Sequence, residues 1–216
     1  FHLAQGYADI HLTTALLLSL VSLMLFMHEM KGNWLMLSGV FAANAAWTKS
    51  EGIIIGLLLW LAILAFLFYK KNKRRDLFRS AIVAISLSIP WPIFLLVRGM
   101  GLTPHETDSS ISFHAEGVVP ILSGLFAGGS MGIVWYALGI ALLVLLLLYK
   151  NKDERVDGWM LFSAVWGIAS LAIIVGTYLF TPNIQFLLQG QSYYRQLMVP
   201  ASLLIASLIS AWRPTH

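Results

Sequence analysis

Lys49, Arg98 and Arg195 stand apart from the other basic residues of the chain. Each lies at the edge of an apolar segment, close in sequence to carboxylates or aromatic hydroxyls. Lys49 sits in Thr48-Lys49-Ser50-Glu51-Gly52, two positions from Glu51. Residues two apart do not share a helix face, but a tight turn ending at Gly52 lets both side chains point into one cavity. The pair then reads either as a self-neutralising hairpin tip or as a phosphate contact, a role that suits the compact charge of Lys. Arg195 follows Tyr193-Tyr194. It either snorkels to a membrane surface, beside Tyr anchors, or clamps an anionic lipid headgroup with the Tyr194 hydroxyl assisting. Asp9, beside His11, opens an apolar run. One reading is a solvated residue of a first helical turn, where it complements the dipole. The other is a carboxylate that positions an acceptor or holds a divalent metal ion.

The connection 98–117 carries His105, Glu106, Asp108, His114 and Glu116. Their spacing matches no zinc signature, so the segment reads as a solvated loop. Arg98, His105 and Glu106 remain candidates for the lining of an acceptor groove. There is no phosphate-binding P-loop, dinucleotide fingerprint, nucleophile elbow or His-Glu-x-x-His motif. With no Cys in the chain, a disulfide framework, a thiolate metal site and a Cys nucleophile are excluded.

The elements that must position these residues are membrane helices. The chain is 58% hydrophobic and 11% charged, against roughly 25% charge in a soluble domain. Apolar segments at about 11–27, 34–47, 53–69, 81–97, 118–149, 159–180 and 197–212 predict about seven transmembrane helices. Segment 118–149 is too long for one crossing, and Gly128-Gly129 is expected to break it into a short interfacial helix and a span. The predicted fold class is an all-α polytopic integral membrane bundle, residues 1–216 forming a single transmembrane domain. Eleven of the 14 Lys+Arg fall at one set of segment ends: Lys31, the cluster from Lys70 to Arg79, Lys150 to Arg155, and Arg213. Basic loops stay in the cytoplasm. Lys49, Arg98 and Arg195 therefore face outward with Asp9. The same bias accounts for the net charge of +4 without nucleic acid. The chain opens at Phe1 in mid-phrase, which reads as an N-terminally truncated piece of a longer protein.

Taken in order, Gly6-Tyr7-Ala8-Asp9-Ile10, then Trp47-Thr48-Lys49-Ser50-Glu51-Gly52, Pro90-Trp91-Pro92 and Tyr194-Arg195-Gln196-Leu197-Met198-Val199-Pro200 resemble the bacterial polytopic glycosyltransferases of the GT-C fold. The likeness is to the protein-mannosyltransferase and aminoarabinose-transferase type, over essentially the whole chain. Gln196 departs from the aromatic or aliphatic residue usual in the last phrase. The resemblance implies an inverting enzyme of the inner membrane that uses a polyprenyl-phosphate sugar donor and a lipid, glycan or protein acceptor at the extracytoplasmic face. It implies that Asp9 is the second acidic residue of the cavity, and that Lys49 and Arg195 lie near the lipid phosphate. The principal catalytic carboxylate of that family lies before the point where this chain begins, so the fragment alone is expected to be inactive. Two other classes compete. An O-antigen ligase or polymerase normally carries a larger outer loop than 98–117. A transporter or flippase calls for internal repeats and midplane polar residues, and neither is evident in the sequence.

Overall fold

The computed structural model describes residues 2–48, 52–69, 74–98, 112–126, 129–150, 158–181, 184–188 and 196–211. They fall into two compact units, Phe1–Glu106 and Thr107–His216. Every regular element among the described residues is helical. Three helical stretches are long and apolar enough to cross a membrane: Ala8–Glu29, Arg74–Val97 and Ser163–Phe180.

The first unit is built on α1 (His2–Glu29) and α2 (Gly32–Thr48). Between them Met30 takes a positive φ of 55° and its N–H bonds the Phe26 carbonyl at 2.6 Å. This is the left-handed cap that ends many helices, here made without glycine. The two helices run antiparallel and are joined by reciprocal bonds. Ser19 Oγ donates to the Ser38 carbonyl at 2.9 Å, and Ser38 Oγ to the Ser19 carbonyl at 2.8 Å. Small hydroxyls do this in apolar helices because they reach a backbone acceptor across a close interface, at about 0.6 kcal/mol and up to ~1.7 kcal/mol each.

The chain returns through a π-helical turn, Ile53–Leu58, and α3, Leu59–Tyr69. Gly52 and Gly56 let this segment lie directly on α2. A Cβ at Gly52 would overlap the Ala45 carbonyl, and one at Gly56 would stand 2.8 Å from Ala45 Cβ. Trp60, fully buried, donates its indole N–H to Ser38 Oγ at 2.9 Å. Next come α4, Arg74–Ser88, and α5, Pro90–Val97. Ser80 Oγ donates to the Leu35 carbonyl at 2.7 Å, and Trp47 Nε1 to the Leu87 carbonyl at 2.6 Å. The rising numbers on both sides make α4 parallel to α2. Pro90 and Pro92 supply no N–H to this stretch, which falls just beyond the carbonyl that Trp47 engages.

Charge is sorted along this unit. Gly32, next to Lys31, lies against the Asp76 carboxylate, on the helix turn shared with Arg74, Arg75 and Arg79. Lys31 pairs with Glu29 at 2.8 Å, and Arg74 lies over the Phe68 ring at 4.9 Å. Lys31, Arg74, Arg75 and Arg79 therefore gather at one end, and Asp9, Trp47 and Gly52 lie at the other, toward which Arg98 also extends.

The second unit contains a short 3-10 turn, Ala115–Gly117, followed by α6 (Val118–Phe126), α7 (Gly129–Lys150), α8 (Gly158–Phe180), α9 (Ile184–Leu188) and α10 (Met198–Ala211). Of the Gly128-Gly129 pair expected to break the long apolar segment, Gly128 lies outside the described residues and Gly129 begins α7. Gly167 seats α8 on α10, where an added Cβ would stand 2.7 Å from Leu204 Cγ.

Candidate functional site

Asp9 is 3% exposed on α1. The helix begins at His2, so Asp9 is its eighth residue and no acidic side chain occupies its first turn. This corrects the reading of Asp9 as a solvated helix-start residue. The polar stretch from His2 to Gly6 continues the helix beyond the apolar run that marks it in the sequence. Thr13 Oγ1 donates to the Asp9 carbonyl at 2.8 Å. Asp9 and Glu29 are twenty residues apart on α1, about 30 Å of rise. That matches the hydrocarbon thickness of a bilayer.

The level of Asp9 relative to the connection after α2 follows from packing. Leu12 Cδ1 stands 3.0 Å from the position of a Gly52 Cβ, and Leu16 Cδ2 3.5 Å from that of a Gly56 Cβ. Asp9 is one helical turn before Leu12, about 4.5 Å along the axis. It thus reaches the level where α2 ends at Thr48 and the chain resumes at Gly52. Lys49, Ser50 and Glu51 join those two points covalently and lie outside the described residues. With 17 residues, α2 rises only about 25 Å, short of the ~30 Å hydrocarbon core.

His11 is exposed, and two positions along a helix it points away from the Asp9 face. Arg98 is also exposed, with its guanidinium 5.5 Å from the centre of the Phe94 ring. Phe94 stacks on Trp91 at 5.8 Å, and Trp91 on Trp47 at 5.9 Å. This aromatic run resembles the interfacial belt of membrane proteins. The structure therefore groups Asp9 with the flanks of the Lys49–Glu51 connection and leaves His11 and Arg98 at the surface. His105, Glu106, Asp108, Tyr194 and Arg195 lie outside the described residues. Arg195 also belongs to the second unit, by its number. Among the described residues no group of three or more His, Asp or Glu is placed to hold a metal ion.

The second unit holds an arrangement that the sequence reading missed. Ser112, His114 and Glu116 alternate with Phe113 and Ala115. Ser112 N–H donates to the Phe180 carbonyl at 3.3 Å and His114 N–H to the Leu179 carbonyl at 2.8 Å. These bonds satisfy carbonyls that the end of α8 would otherwise leave open. Gly117 lies against Ile184, where a Cβ would overlap its Cδ1. Along the fixed segment, Ser112 Oγ is 3.1 Å from His114 Nε2, and His114 Nδ1 is 3.1 Å from Glu116 Oε1. A bond from its own backbone N–H, and then one from His114, hold the Glu116 carboxyl below its usual value of 4.5. An ionised carboxylate only accepts, so Nδ1 is the donor. In the neutral imidazole Nε2 is then an acceptor, and Ser112 is the donor to it. The alternation of Ser112 and His114 with Phe113 was the available signal, since residues two apart in an extended stretch share a face, and the 3-10 turn at Ala115–Gly117 brings Glu116 to His114.

Comparison with protein-family models, with characterised proteins and with solved structures finds no match to this chain.

Proposed function

We propose that this chain is the membrane-embedded part of a GT-C-type glycosyltransferase, within a bundle of about seven spans in a bacterial inner membrane. It takes a sugar from a polyprenyl-phosphate carrier and passes it, with inversion, to a lipid, glycan or protein acceptor on the extracytoplasmic side. The observation that carries this reading is the depth of Asp9. A carboxylate 3% exposed at the boundary of a membrane helix is costly unless it is paired or used. It stands level with the connection that contains Lys49.

Transfer from a lipid phosphate leaves negative charge on the departing phosphate. Lys49 would supply fixed positive charge there, which is worth most in a site shielded from water, and the family resemblance gives Arg195 a donor-phosphate role of its own. Asp9 would order the acceptor hydroxyl or hold a divalent cation beside the phosphate. The sorting of charge in the first unit supports the orientation, since the end opposite Asp9 carries Lys31 and Arg74–Arg79 and basic ends stay cytoplasmic. The test is turnover of a polyprenyl-phosphate sugar in membranes containing the protein. Lys49→Ala and Arg195→Ala should each impair use of the donor. Normal turnover in either variant removes that residue from the site. Asp9→Asn should lower turnover at unchanged membrane abundance. Parallel loss of both would assign Asp9 to folding.

A further inference from the structure

We propose that Ser112 is a nucleophile activated by His114 and Glu116, forming a second reactive site that takes acyl esters of membrane lipids. The inference rests on the order of the atoms: serine hydroxyl, imidazole Nε2, imidazole Nδ1, carboxylate, with both contacts at 3.1 Å. General-base activation of serine is recognised by this order rather than by sequence spacing or fold. It is independent of the sugar-transfer reading, because it uses neither Asp9 nor Lys49.

Three further observations support it. The segment is fixed by its backbone bonds to Leu179 and Phe180, so the side chains are held by a scaffold and do not rely on one another for position. Ser112 is exposed, whereas His114 is half-buried beneath it, which leaves the hydroxyl open to an incoming carbonyl. The ligand class follows from the surroundings. The rings of Phe113, next to the serine in the chain, and of Phe180 lie 5.6 Å apart and remain 59% and 45% exposed. They sit at the end of Ser163–Phe180, a helix apolar enough to span a membrane. An exposed aromatic pair at that depth meets acyl chains more readily than water-soluble groups.

In the acyl step the Ser112 Oγ–carbon bond forms as its proton passes to His114 Nε2, and Glu116 stabilises the resulting imidazolium. The carbon–oxygen bond to the lipid alcohol then breaks, and that oxygen takes the proton from Nε2. Water completes the cycle by the same route, with its proton taken by Nε2 and its oxygen bonded to the acyl carbon. The fatty acid leaves and the serine is regenerated.

The probe is an alkyl fluorophosphonate applied to the full chain in lipid nanodiscs, read by mass spectrometry of the peptide that contains Ser112. The expected result is phosphonylation of Ser112 with loss of fluoride, abolished in Ser112→Ala. His114→Gln should slow labelling on the order of 100-fold, within the usual range for loss of a general base, and Glu116→Gln should slow it about tenfold. The wild-type rate should depend on pH, as activation by a general base requires, while labelling of His114→Gln stays flat. If His114→Gln fails to fold, Glu116→Gln and the wild-type pH profile decide the matter. An unlabelled Ser112 in the folded wild type overturns the proposal. So does labelling at equal rates in wild type and Glu116→Gln, or a wild-type rate that does not change with pH. The segment would then serve only to cap α8.

Discussion

Both units turn hydroxyls back to carbonyls four residues earlier, Thr13, Thr48 and Ser88 doing so in the first, and the first unit adds bonds from one helix to another. In the first, Ser19, Ser38 and Ser80 bond across helix interfaces, and Ser38 also accepts the buried Trp60 indole. In the second, Ser170, Thr177 and Thr181 turn back to carbonyls of the same chain four residues earlier, Trp166, Ile173 and Thr177. Back-bonding of this kind satisfies a hydroxyl in an apolar helix without holding a neighbour. Two glycines make a contrast of their own. Gly52 abuts a backbone carbonyl, that of Ala45, whereas Gly167 faces first the Leu204 side chain. The contacts of α2 with α1 and α4 are therefore held by polar and backbone groups, while Gly167 is seated on a side chain that can shift. A rigid frame is what a preorganised charge site requires, and Asp9 lies on it.

The largest test of this difference is a pair of glycine substitutions. Gly52→Ala should destabilise the protein by about 3 kcal/mol, since backbone cannot move aside without separating two helices. Gly167→Ala should stay within about 1 kcal/mol of wild type, because Leu204 can repack and alanine favours the helix. Unfolding in mixed micelles measures both, and equal losses would erase the distinction. A smaller effect is expected from serine. Ser38→Ala should cost about 2 kcal/mol, as it leaves the Trp60 N–H buried without its acceptor, whereas Ser170→Ala should cost no more than about 0.5 kcal/mol. Smaller still, and of opposite sign, Met30→Gly should stabilise the α1–α2 hairpin by up to about 1 kcal/mol, since only glycine occupies positive φ without steric cost.

Much of the helical frame was legible because long apolar runs have few other uses. The apolar run from Ala81 marked the helical stretch that carries Pro90, although the charged residues from Arg74 already belong to that helix. The depth of Asp9 was hidden, because His2, Gln5 and Gly6 look like a loop, yet α1 runs through them. The π-helical turn was also hidden, since Ile53–Leu58 has the composition of an ordinary span. It lies at a close contact of the unit, with Gly56 against Ala45. Serine positions carried no signal, because a serine that bonds a neighbouring helix and one that bonds its own helix have the same sequence neighbourhood. The Ser112 relay was overlooked for a different reason. His114 and Glu116 were weighed as metal ligands, and the alternation with Phe113 was not.

The most direct measurement is equilibrium binding of a polyprenyl-phosphate sugar to the full chain in nanodiscs, compared with Lys49→Ala. Saturable binding that weakens about tenfold or more in the variant, about 1.4 kcal/mol, is the expected result, with Asp9→Asn retaining the wild-type fold. Binding of equal strength in wild type and Lys49→Ala would contradict the assignment of this end of the first unit to the donor phosphate.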